Sequence, residues 1–431
     1  MNNQAALPDE PANPASLNEV ESLAEVLGLV RSGAARTRHD VSQMTGLGRT
    51  AVTNRLNELI QMGLVTEDGR EPSAGGRSPR ALRFRSEAGL ILVADLGASS
   101  MRIGAADLAG TLLGTTAVPM PISRGPDATM EQVETLFDQL LAERDDGAAP
   151  VWGIGVGLPG PVEFATGRAI APPIMPGWDG YDVRGRLGAK YGAPVWVDND
   201  VNLMALGELR TGGARDVDDF VFVKVGTGIG AGLVSNHRLH HGAQGCAGDI
   251  GHIAVTHDST TVCRCGKTGC LEAHAGGAAI AQQGRAAAES GVSPFLANLL
   301  AEKGGIDAAD VSTGAGHGDP ACAEILSDAG REVGRALATL VSTFNPSLVV
   351  LGGGVINSGD LFLAATRRMI YEWSLPLATR DLRIAPSTLG AEAGATGAAL
   401  LVLDQLFEPE VLRRWFPAGS PVGRPELANA V

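Results

Sequence analysis

Residues 220–234 read FVFVKVGTGIGAGLV, which is an apolar run, a glycine-rich turn and a second apolar run. The two runs predict strands over 220–225 and 230–234, joined by a tight hairpin. Glycines in such a turn let backbone amides approach a phosphate closely, although the same glycines also serve ordinary tight turns. The stretch therefore indicates a sheet whose hairpin can face a ligand.

Two other apolar runs end in similar glycine-bearing loops. Residues 90–94 are followed by Asp95-Leu96-Gly97-Ala98-Ser99, and residues 348–351 by three consecutive glycines. Each loop alone is a weak signal, but several at strand ends in one chain indicate a nucleotide cleft. The three loops contain Asp95, Gly97, Gly226, Thr227, Gly228, Gly352, Gly353 and Gly354.

Strands and helices intermix from residue 87 to residue 431, which predicts an α/β body split into two lobes. No strong internal sequence repeat is visible. The stretch 403–416 can pack either on the body or at an interface between subunits. Further strands are predicted over 151–158 and 194–197, and helices over 130–143, 275–290, 320–344 and 361–373.

The first part of the chain has a different plan. Residues 1–16 are polar and proline-rich and are expected to be a disordered leader. Helical spacing follows over 17–32, and Thr37-x-x-Asp40 resembles a capping box that opens a second short helix. A turn at 46–48 precedes a third helical stripe. Short strands at 64–66 and 81–84 complete a winged helix-turn-helix plan over residues 17–86.

Charge separates this first unit from the body. The chain of 431 residues carries a net charge of −14, yet residues 31–85 hold ten arginines, no lysine and five acidic residues, a net charge of +5. A basic module on an acidic body favours double-stranded DNA as a partner, whereas a small helical domain for protein contacts is the plainer alternative. The predicted DNA-binding residues are Arg49, Thr50, Thr53 and Asn54 on the third helix and Arg77 and Arg80 on the wing.

Composition limits the class of protein. Hydrophobic residues make up 44% of the chain and glycine 58 positions, which fits a folded α/β protein and not a disordered one. No apolar run approaches about 18 residues, so no membrane span is expected. The N-terminus lacks the basic start and apolar stretch of a signal peptide, and we expect a cytoplasmic location.

Three of the five cysteines, Cys263, Cys265 and Cys270, fall within eight residues. In a cytoplasmic chain such a cluster indicates metal binding before disulfides, and three reduced thiols are the alternative. Tetrahedral zinc needs a fourth ligand, for which His252 is the natural candidate and His257 and Cys246 are competitors. No open coordination position is implied, so the predicted site is structural.

Asp198-Asn199-Asp200 follows the strand predicted at 194–197. A carboxylate beside an amide at a strand end can bind vicinal hydroxyls, and it can act as a base on one of them. Asp249 and Glu272 flank the cysteine loop, so a metal there would support a wall that carries two more carboxylates. A helix cap is the alternative for any single aspartate in this set.

Together these motifs resemble the ROK family (repressor, open reading frame, kinase) over residues 17–402. The resemblance rests on Cys263-x-Cys265-Gly266-x-x-Gly269-Cys270-x-Glu272 with Gly251-His252 upstream, and on the Asn199-Asp200 pair. It also rests on residues 155–162, reading GVGLPGPV, on Asn345-Pro346, and on residues 390–399, reading GAEAGATGAA.

The resemblance implies a two-lobed, actin-like and ribonuclease-H-like fold that binds a sugar between its lobes. It implies a sugar site of Asn199, Asp200, Asp249, His252 and Glu272, and a zinc site of His252, Cys263, Cys265 and Cys270. In kinase members of the family the residue at the position of Asp200 is the base that deprotonates the sugar hydroxyl. The resemblance also implies a site for ATP with Mg²⁺, which Asp95, Gly97, Gly226, Thr227, Gly228, Gly352, Gly353 and Gly354 would face.

Two residues depart from the kinase pattern of the family. Ala98 stands where the first phosphate loop usually has glycine, and its methyl group would crowd a phosphate, although Ser99 keeps a hydroxyl. Asp249 stands in place of glutamate, which retracts the carboxylate by about 1.5 Å. The second change leaves the identity of the sugar open.

The sequence thus predicts a sugar-responsive transcriptional regulator that binds operator DNA, as a homodimer or homotetramer, through its winged module. An ATP-dependent sugar kinase with Asp200 as base is the alternative. A zinc-stabilised binding protein without DNA or ATP is the third hypothesis.

Overall fold

The computed structural model describes residues 14–70, 80–144, 149–256, 260–356 and 360–429. The strands are β1 (Val65–Arg70), β2 (Arg80–Phe84), β3 (Leu90–Leu96), β4 (Ser100–Asp107), β5 (Leu112–Pro119), β6 (Val151–Leu158), β7 (Val162–Glu163), β8 (Arg168–Ala169), β9 (Val195–Asn199), β10 (Phe220–Val225), β11 (Ile229–Ser235), β12 (Arg238–Leu239), β13 (Leu348–Gly352) and β14 (Arg383–Pro386). The α-helices are α1 (Pro14–Arg31), α2 (Arg38–Thr45), α3 (Arg49–Gln61), α4 (Pro126–Ala142), α5 (Val183–Tyr191), α6 (Asp200–Arg210), α7 (Leu271–Ala275), α8 (Gly277–Glu289), α9 (Pro294–Lys303), α10 (Ala308–Gly316), α11 (Pro320–Phe344), α12 (Asp360–Trp373), α13 (Pro376–Thr379), α14 (Ala393–Leu406) and α15 (Pro409–Trp415).

Two five-stranded sheets with the same topology form the two lobes of the body. The first has the order β5-β4-β3-β6-β9 and the second β12-β11-β10-β13-β14. In each sheet the first three strands along the chain, β3 to β5 and β10 to β12, form an antiparallel meander. The last two, β6 and β9 or β13 and β14, run parallel to the first strand of that meander, β3 or β10. The duplication is one of topology, since the sequence shows no repeat. It places the β3–β4 hairpin and the β10–β11 hairpin at equivalent positions of the two lobes.

The predicted α/β body is confirmed, with local differences. The helix predicted over 320–344 is α11, and the strands predicted at 151–158 and 220–225 are β6 and β10. The helix predicted over 275–290 is α8, and the short helix α7 ends just before it, with a break at Gly276. A Cβ on Gly276 would lie 2.7 Å from the carbonyl oxygen of Glu272, so only glycine fits this break.

The N-terminal unit contains α1, α2 and α3 followed by the antiparallel ribbon of β1 and β2. Thr37 and Asp40 form the predicted capping box at the start of α2. Helix α1 begins at Pro14, three residues before the predicted start. The rest of the predicted leader, residues 1–13, and the tip of the wing with Arg77 lie outside the described residues.

The N-terminal unit and the body share one continuous hydrophobic core. Phe407 lies at their junction: its ring contacts the ring of Phe84 edge-on at 6.4 Å and the guanidinium of Arg31 at 4.9 Å. On the body side, Phe407 contacts Trp415 with ring centroids 6.1 Å apart. The stretch 403–416 therefore packs within this chain, against both the body and α1.

Helices α6 and α14 cross at very short distance in the centre of the body. A Cβ on Gly397 of α14 would lie 1.8 Å from the carbonyl oxygen of Leu203 on α6. A Cβ on Gly207 of α6 would likewise lie 2.6 Å from the carbonyl oxygen of Ala393. The glycines permit this crossing and so fix the position of α6, whose first residue is Asp200.

Among the described residues, no helix is long and apolar enough to cross a membrane.

Candidate functional site

A cavity of about 690 Å³ lies between the two lobes. Its size is typical of small-molecule sites. The β3–β4 hairpin and the turn after β6 line it from the first lobe, and the β10–β11 hairpin and the segment 245–249 line it from the second. All five residues of the predicted sugar site line this cavity: Asn199, Asp200, Asp249, His252 and Glu272.

Asn199 places Asp200 at the start of α6. The Asn199 side chain is the N-cap of this helix, since its oxygen accepts from the amides of Val201 and Asn202 at 2.9 and 3.3 Å. Its Nδ2 donates to the carbonyl oxygen of Gly160 at 3.0 Å. Asn199 thus caps α6 and also lies on the cavity wall. The negative charge of Asp200, at the first position of α6, is stabilised by the positive end of the helix dipole.

Asp200 is buried and forms an ion pair with Lys224, a residue that the sequence analysis did not identify. Asp95 lies near both groups, inside β3. Burial raises the pKa of Asp95 to about 6, with Lys224 lowering it and Asp200 raising it further. Asp95 is not among the residues that line the cavity, and its carboxylate lies against Gly157 and Gly394.

A second buried carboxylate, Asp198, anchors the same strand end. It accepts from the amide of Asn199 at 2.7 Å and from Nδ2 of Asn202 at 2.9 Å. His241 Nε2 donates to its other oxygen at 2.7 Å, and the His241 ring lies on Phe164 with centroids 4.5 Å apart. Burial opposes protonation of His241, but the Asp198 carboxylate raises the pKa of this imidazole overall.

The other wall of the cavity carries Glu272, close to the start of α7. Its Oε2 accepts from the amide of Ile229 at 3.2 Å. A Cβ on Gly228 would lie 2.1 Å from the same oxygen, so a side chain at this position would displace the Glu272 carboxylate. Arg264 of the cysteine loop approaches Oε1 of Glu272 and the carbonyl oxygen of Thr227, at 3.5 and 3.4 Å. The cysteine loop is therefore linked directly to the cavity wall.

The side chains of His252, Cys263, Cys265 and Cys270 converge, with their ligand atoms all within 4.8 Å of one another. His252 Nδ1 lies 3.5 Å from Cys263 Sγ, and Cys265 Sγ lies 3.7 Å from Cys270 Sγ. Tetrahedral zinc with ordinary bond lengths holds adjacent ligands about 3.3–3.8 Å apart, so the four residues fit the ion. Burial and the two neighbouring sulfurs raise the pKa of the Cys270 thiol to about 12, so thiolates here need a cation.

The structure describes one of the two competing fourth ligands, and this residue does not join the group. Cys246 is exposed and lines the cavity instead, and His257 lies outside the described residues. The ring of His252 bridges the two sites, because its Nδ1 faces the cysteines while Nε2 lies 4.0 Å from Oδ1 of Asp249.

The glycine loops divide into two kinds. The cavity is lined by Gly97, Gly226, Thr227, Gly228 and Gly354. Gly352 and Gly353 do not line it, and a Cβ there would lie 2.6 Å from the ring of Phe222 and 2.4 Å from the carbonyl oxygen of Val225, respectively. The close packing leaves no room for a side chain at either position.

The four predicted DNA-binding residues on α3, Arg49, Thr50, Thr53 and Asn54, are all exposed and occupy one face of the helix at its N-terminal end. The opposite face, with Val52, Leu56 and Leu59, is buried in the shared core. Arg80 is exposed at the first position of β2.

Two topologically equivalent lobes around a cavity, with four side chains that could hold a metal ion behind one wall, define a two-lobed protein of the sugar-kinase type. The profile of the ROK family matches residues 91–405, and the chain belongs to this family. A xylose repressor from Caldicellulosiruptor bescii is 29% identical to it over 387 residues, 89% of this chain and 96% of the repressor.

Solved structures include both regulators and kinases. A ROK family transcriptional regulator, described as a homologue of the E. coli MLC protein, has a TM-score of 0.77 at 27% identity and covers 93% of this chain and 100% of its own. A ROK family glucokinase from Streptomyces griseus, in complex with glucose and AMPPNP, has a TM-score of 0.64 at 30% identity. It covers 73% of this chain and 99% of its own.

Proposed function

We propose that this protein is a sugar-responsive transcriptional regulator. Residues 17–86 bind operator DNA, and the cavity between the lobes binds a sugar effector. The observation that carries the proposal is the fusion of a basic unit, with an exposed polar face on α3, to a sugar-kinase-type body through one shared core. The similar regulator covers 93% of this chain and the similar glucokinase only 73%, which supports the same function.

The junction gives a physical route from sugar to DNA. Asp198 lies beside the sugar-site residue Asn199 and binds His241. His241 in turn lines a groove between the lobes and α1, together with Arg31 and Phe407. A sugar that binds more tightly to one arrangement of the lobes than to another would shift α1, and with it the DNA-binding unit, through these contacts. Without such a difference in affinity the sugar could not change the affinity for DNA.

A structural Zn²⁺ held by His252, Cys263, Cys265 and Cys270 belongs to the proposal. The ion would fix the loop that carries Arg264, and with it Glu272 and His252 on the cavity wall. The protein groups that meet the sugar would be Asp200, Asp249, His252 and Glu272, with Asn199 holding Asp200 in place.

If residues 17–86 bind operator DNA, Arg49→Ala should weaken that binding. A side chain that reaches a base or phosphate is worth about 1–3 kcal/mol, so we expect affinity to fall roughly 5- to 150-fold. The probe is the duplex that the full chain enriches from a random-sequence library, measured by fluorescence anisotropy at several salt concentrations. Arg285→Ala, which removes an arginine on α8 that pairs with Glu289, is the matched control. Equal affinity of the two variants, or no enriched duplex, contradicts operator binding.

The sugar-binding half predicts that Asp200→Asn loses most effector affinity. Hydrogen bonds to a charged group contribute about 1.5–3 kcal/mol, so the dissociation constant should rise roughly 10- to 150-fold. Thermal shift with D-xylose, D-glucose and N-acetylated amino sugars identifies the binder, and calorimetry measures it. Asp138→Asn, at a surface ion pair with Lys190, is the control. A sugar that binds this control and Asp200→Asn equally would show that the site lies elsewhere.

An ATP-dependent sugar kinase, with Asp200 as base and ATP and Mg²⁺ at the hairpins, is the second candidate. The similarity to a glucokinase that binds glucose and AMPPNP favours it, as do the cavity-lining residues Gly226, Thr227 and Gly228. Ala98 on the opposite hairpin and the ion pair of Asp200 with Lys224 weigh against it. Sugar-dependent release of ADP by the purified chain, lost in Asp200→Asn, would establish the kinase.

A further inference from the structure

Lys224 is the one charged residue of β10, an otherwise apolar strand. Strand alternation places it on the face of Phe220 and Phe222, whereas Val221, Val223 and Val225 face the other core. Its side chain lines the cavity, and its Nζ pairs with Oδ2 of Asp200 on α6. A lysine at this position therefore serves the cavity and not the packing of the sheet.

The ammonium group lies close to two carboxylates that come from different elements. Gly157 on β6 lies beside both residues, since a Cβ there would lie 3.4 Å from Oδ1 of Asp95 and 3.5 Å from Cα of Asp200. Burial favours a neutral lysine, but Asp200 and Asp95 raise the pKa of Lys224, so it stays an ammonium ion. Arg102 on β4 also acts on Asp95, while Glu272 across the cavity has its own partner in Arg264.

We propose that Lys224 is a built-in cation that holds Asp200 as a paired carboxylate and screens Asp95, so that the cavity binds a sugar without phosphorylating it. The inference rests on the proposed function and deepens it. Asp200 keeps one oxygen, Oδ1, free to accept a hydrogen bond from a sugar hydroxyl. Taking up the hydroxyl proton would instead break the direct ion pair and leave the ammonium with Asp95 alone as its counter-charge, which is unfavourable. Lys224 is thus a positioning residue that acts through Asp200.

The first test is a double-mutant cycle on the stability of the sugar-free full chain. Lys224→Met leaves two buried carboxylates without a cation and should lower the melting temperature, and Asp200→Asn in the same chain should restore much of the loss. Lys224→Arg, which keeps the charge, should stay close to the wild type. If the double variant is no more stable than Lys224→Met, the pairing is not what Lys224 contributes and the proposal fails.

The pH profile separates this role from simple packing. Without Lys224 the carboxylates of the folded protein hold a proton more tightly than those of the unfolded chain, so stability rises as the pH falls. The melting temperature that Lys224→Met loses relative to the wild type should therefore be smaller at pH 6 than at pH 8. The melting temperature of Lys224→Arg should depend on pH in the same way as that of the wild type. Parallel profiles for all three proteins overturn the proposal.

A third readout addresses turnover. With ATP, Mg²⁺ and D-xylose or D-glucose, the wild type should release no ADP above the sugar-free background. Sugar-dependent release by the wild type that requires Asp200 would overturn the inference. If instead no sugar of the panel binds the wild type, the proposed function fails, while the stability cycle still tests the charge pairing by itself.

Discussion

Cys270→Ser is expected to cost the protein its metal ion and most of its sugar affinity. Cys270 is buried, its Sγ lies 3.7 Å from that of Cys265, and its backbone is the N-cap position of α7. A serine hydroxyl is a poor zinc ligand, and structural zinc contributes about 10–16 kcal/mol to folding in small zinc domains. Because Glu272 follows two residues later and Arg264 bridges it to Thr227, loss of the ion should disorder one wall of the cavity.

The measurements are metal content of the purified chain, thermal unfolding with and without a chelator, and sugar binding by calorimetry. We expect less than a tenth of the wild-type zinc content and at least tenfold weaker sugar binding. Cys246→Ser makes the same chemical change at an exposed cysteine outside the metal group and should retain the ion. Full zinc content in Cys270→Ser, or no metal in the wild type, contradicts the proposed zinc site.

The fold and much of the candidate site could be predicted because their signals are local in sequence. The periodicity of α11, the apolar run of β3 and the capping box of Thr37 with Asp40 each lie within one element. The cysteine spacing is equally compact. By contrast, β5 was not predicted, because its residues are mostly exposed and include glycine and threonine. The equivalence of the two sheets was not predicted for a different reason. The strand order is the same in both sheets, but the amino-acid sequences of the two lobes show no repeat.

The groups that the sequence analysis missed are charged residues whose partners are distant along the chain. Lys224 pairs with a residue 24 positions away, and His241 with one 43 positions away. In the sequence, Lys224 is a single polar interruption of a strand, and nothing local distinguishes it from a residue on a solvated face. Only the fold shows that α6 begins where β10 ends, and that a lysine there meets a carboxylate.

Glu208 is a further residue of this kind, and its replacement should have the largest effect on stability outside the metal site. This carboxylate is fully buried in α6 and accepts five hydrogen bonds, one from the turn that follows α6 and four from the distant segment 387–389. The donors are the amide of Gly213 at 2.7 Å, the hydroxyl of Ser387 at 2.6 Å, the amide and hydroxyl of Thr388, both at 2.8 Å, and the amide of Leu389 at 3.0 Å. It thereby ties α6 to the segment that follows β14.

Glu208→Ala leaves these donors without an acceptor, and we expect it to lower the free energy of unfolding by about 3–5 kcal/mol. Glu208→Gln keeps the shape but turns an NH₂ group toward donors, and a loss of about 2–3 kcal/mol is expected. Glu131→Ala, at an exposed glutamate on α4, should change stability by less than about 0.5 kcal/mol. Urea unfolding followed by tryptophan fluorescence measures all three, and a Gln variant as stable as the wild type would contradict the role of the carboxylate.

The same residue gives a pH dependence with a definite sign. Burial alone would raise the pKa of Glu208, but the hydrogen bonds from Ser387, Leu389, Gly213 and Thr388 outweigh it and lower the pKa. The folded protein therefore binds this proton less readily than the unfolded chain, so the stabilisation is complete above the unfolded value of about 4.3 and is lost as the pH falls through the folded one. Below about pH 4, Glu208→Gln should lose stability with pH less steeply than the wild type. Since α6 carries Asp200 at its first position, the sugar affinity of Glu208→Ala should fall together with its stability.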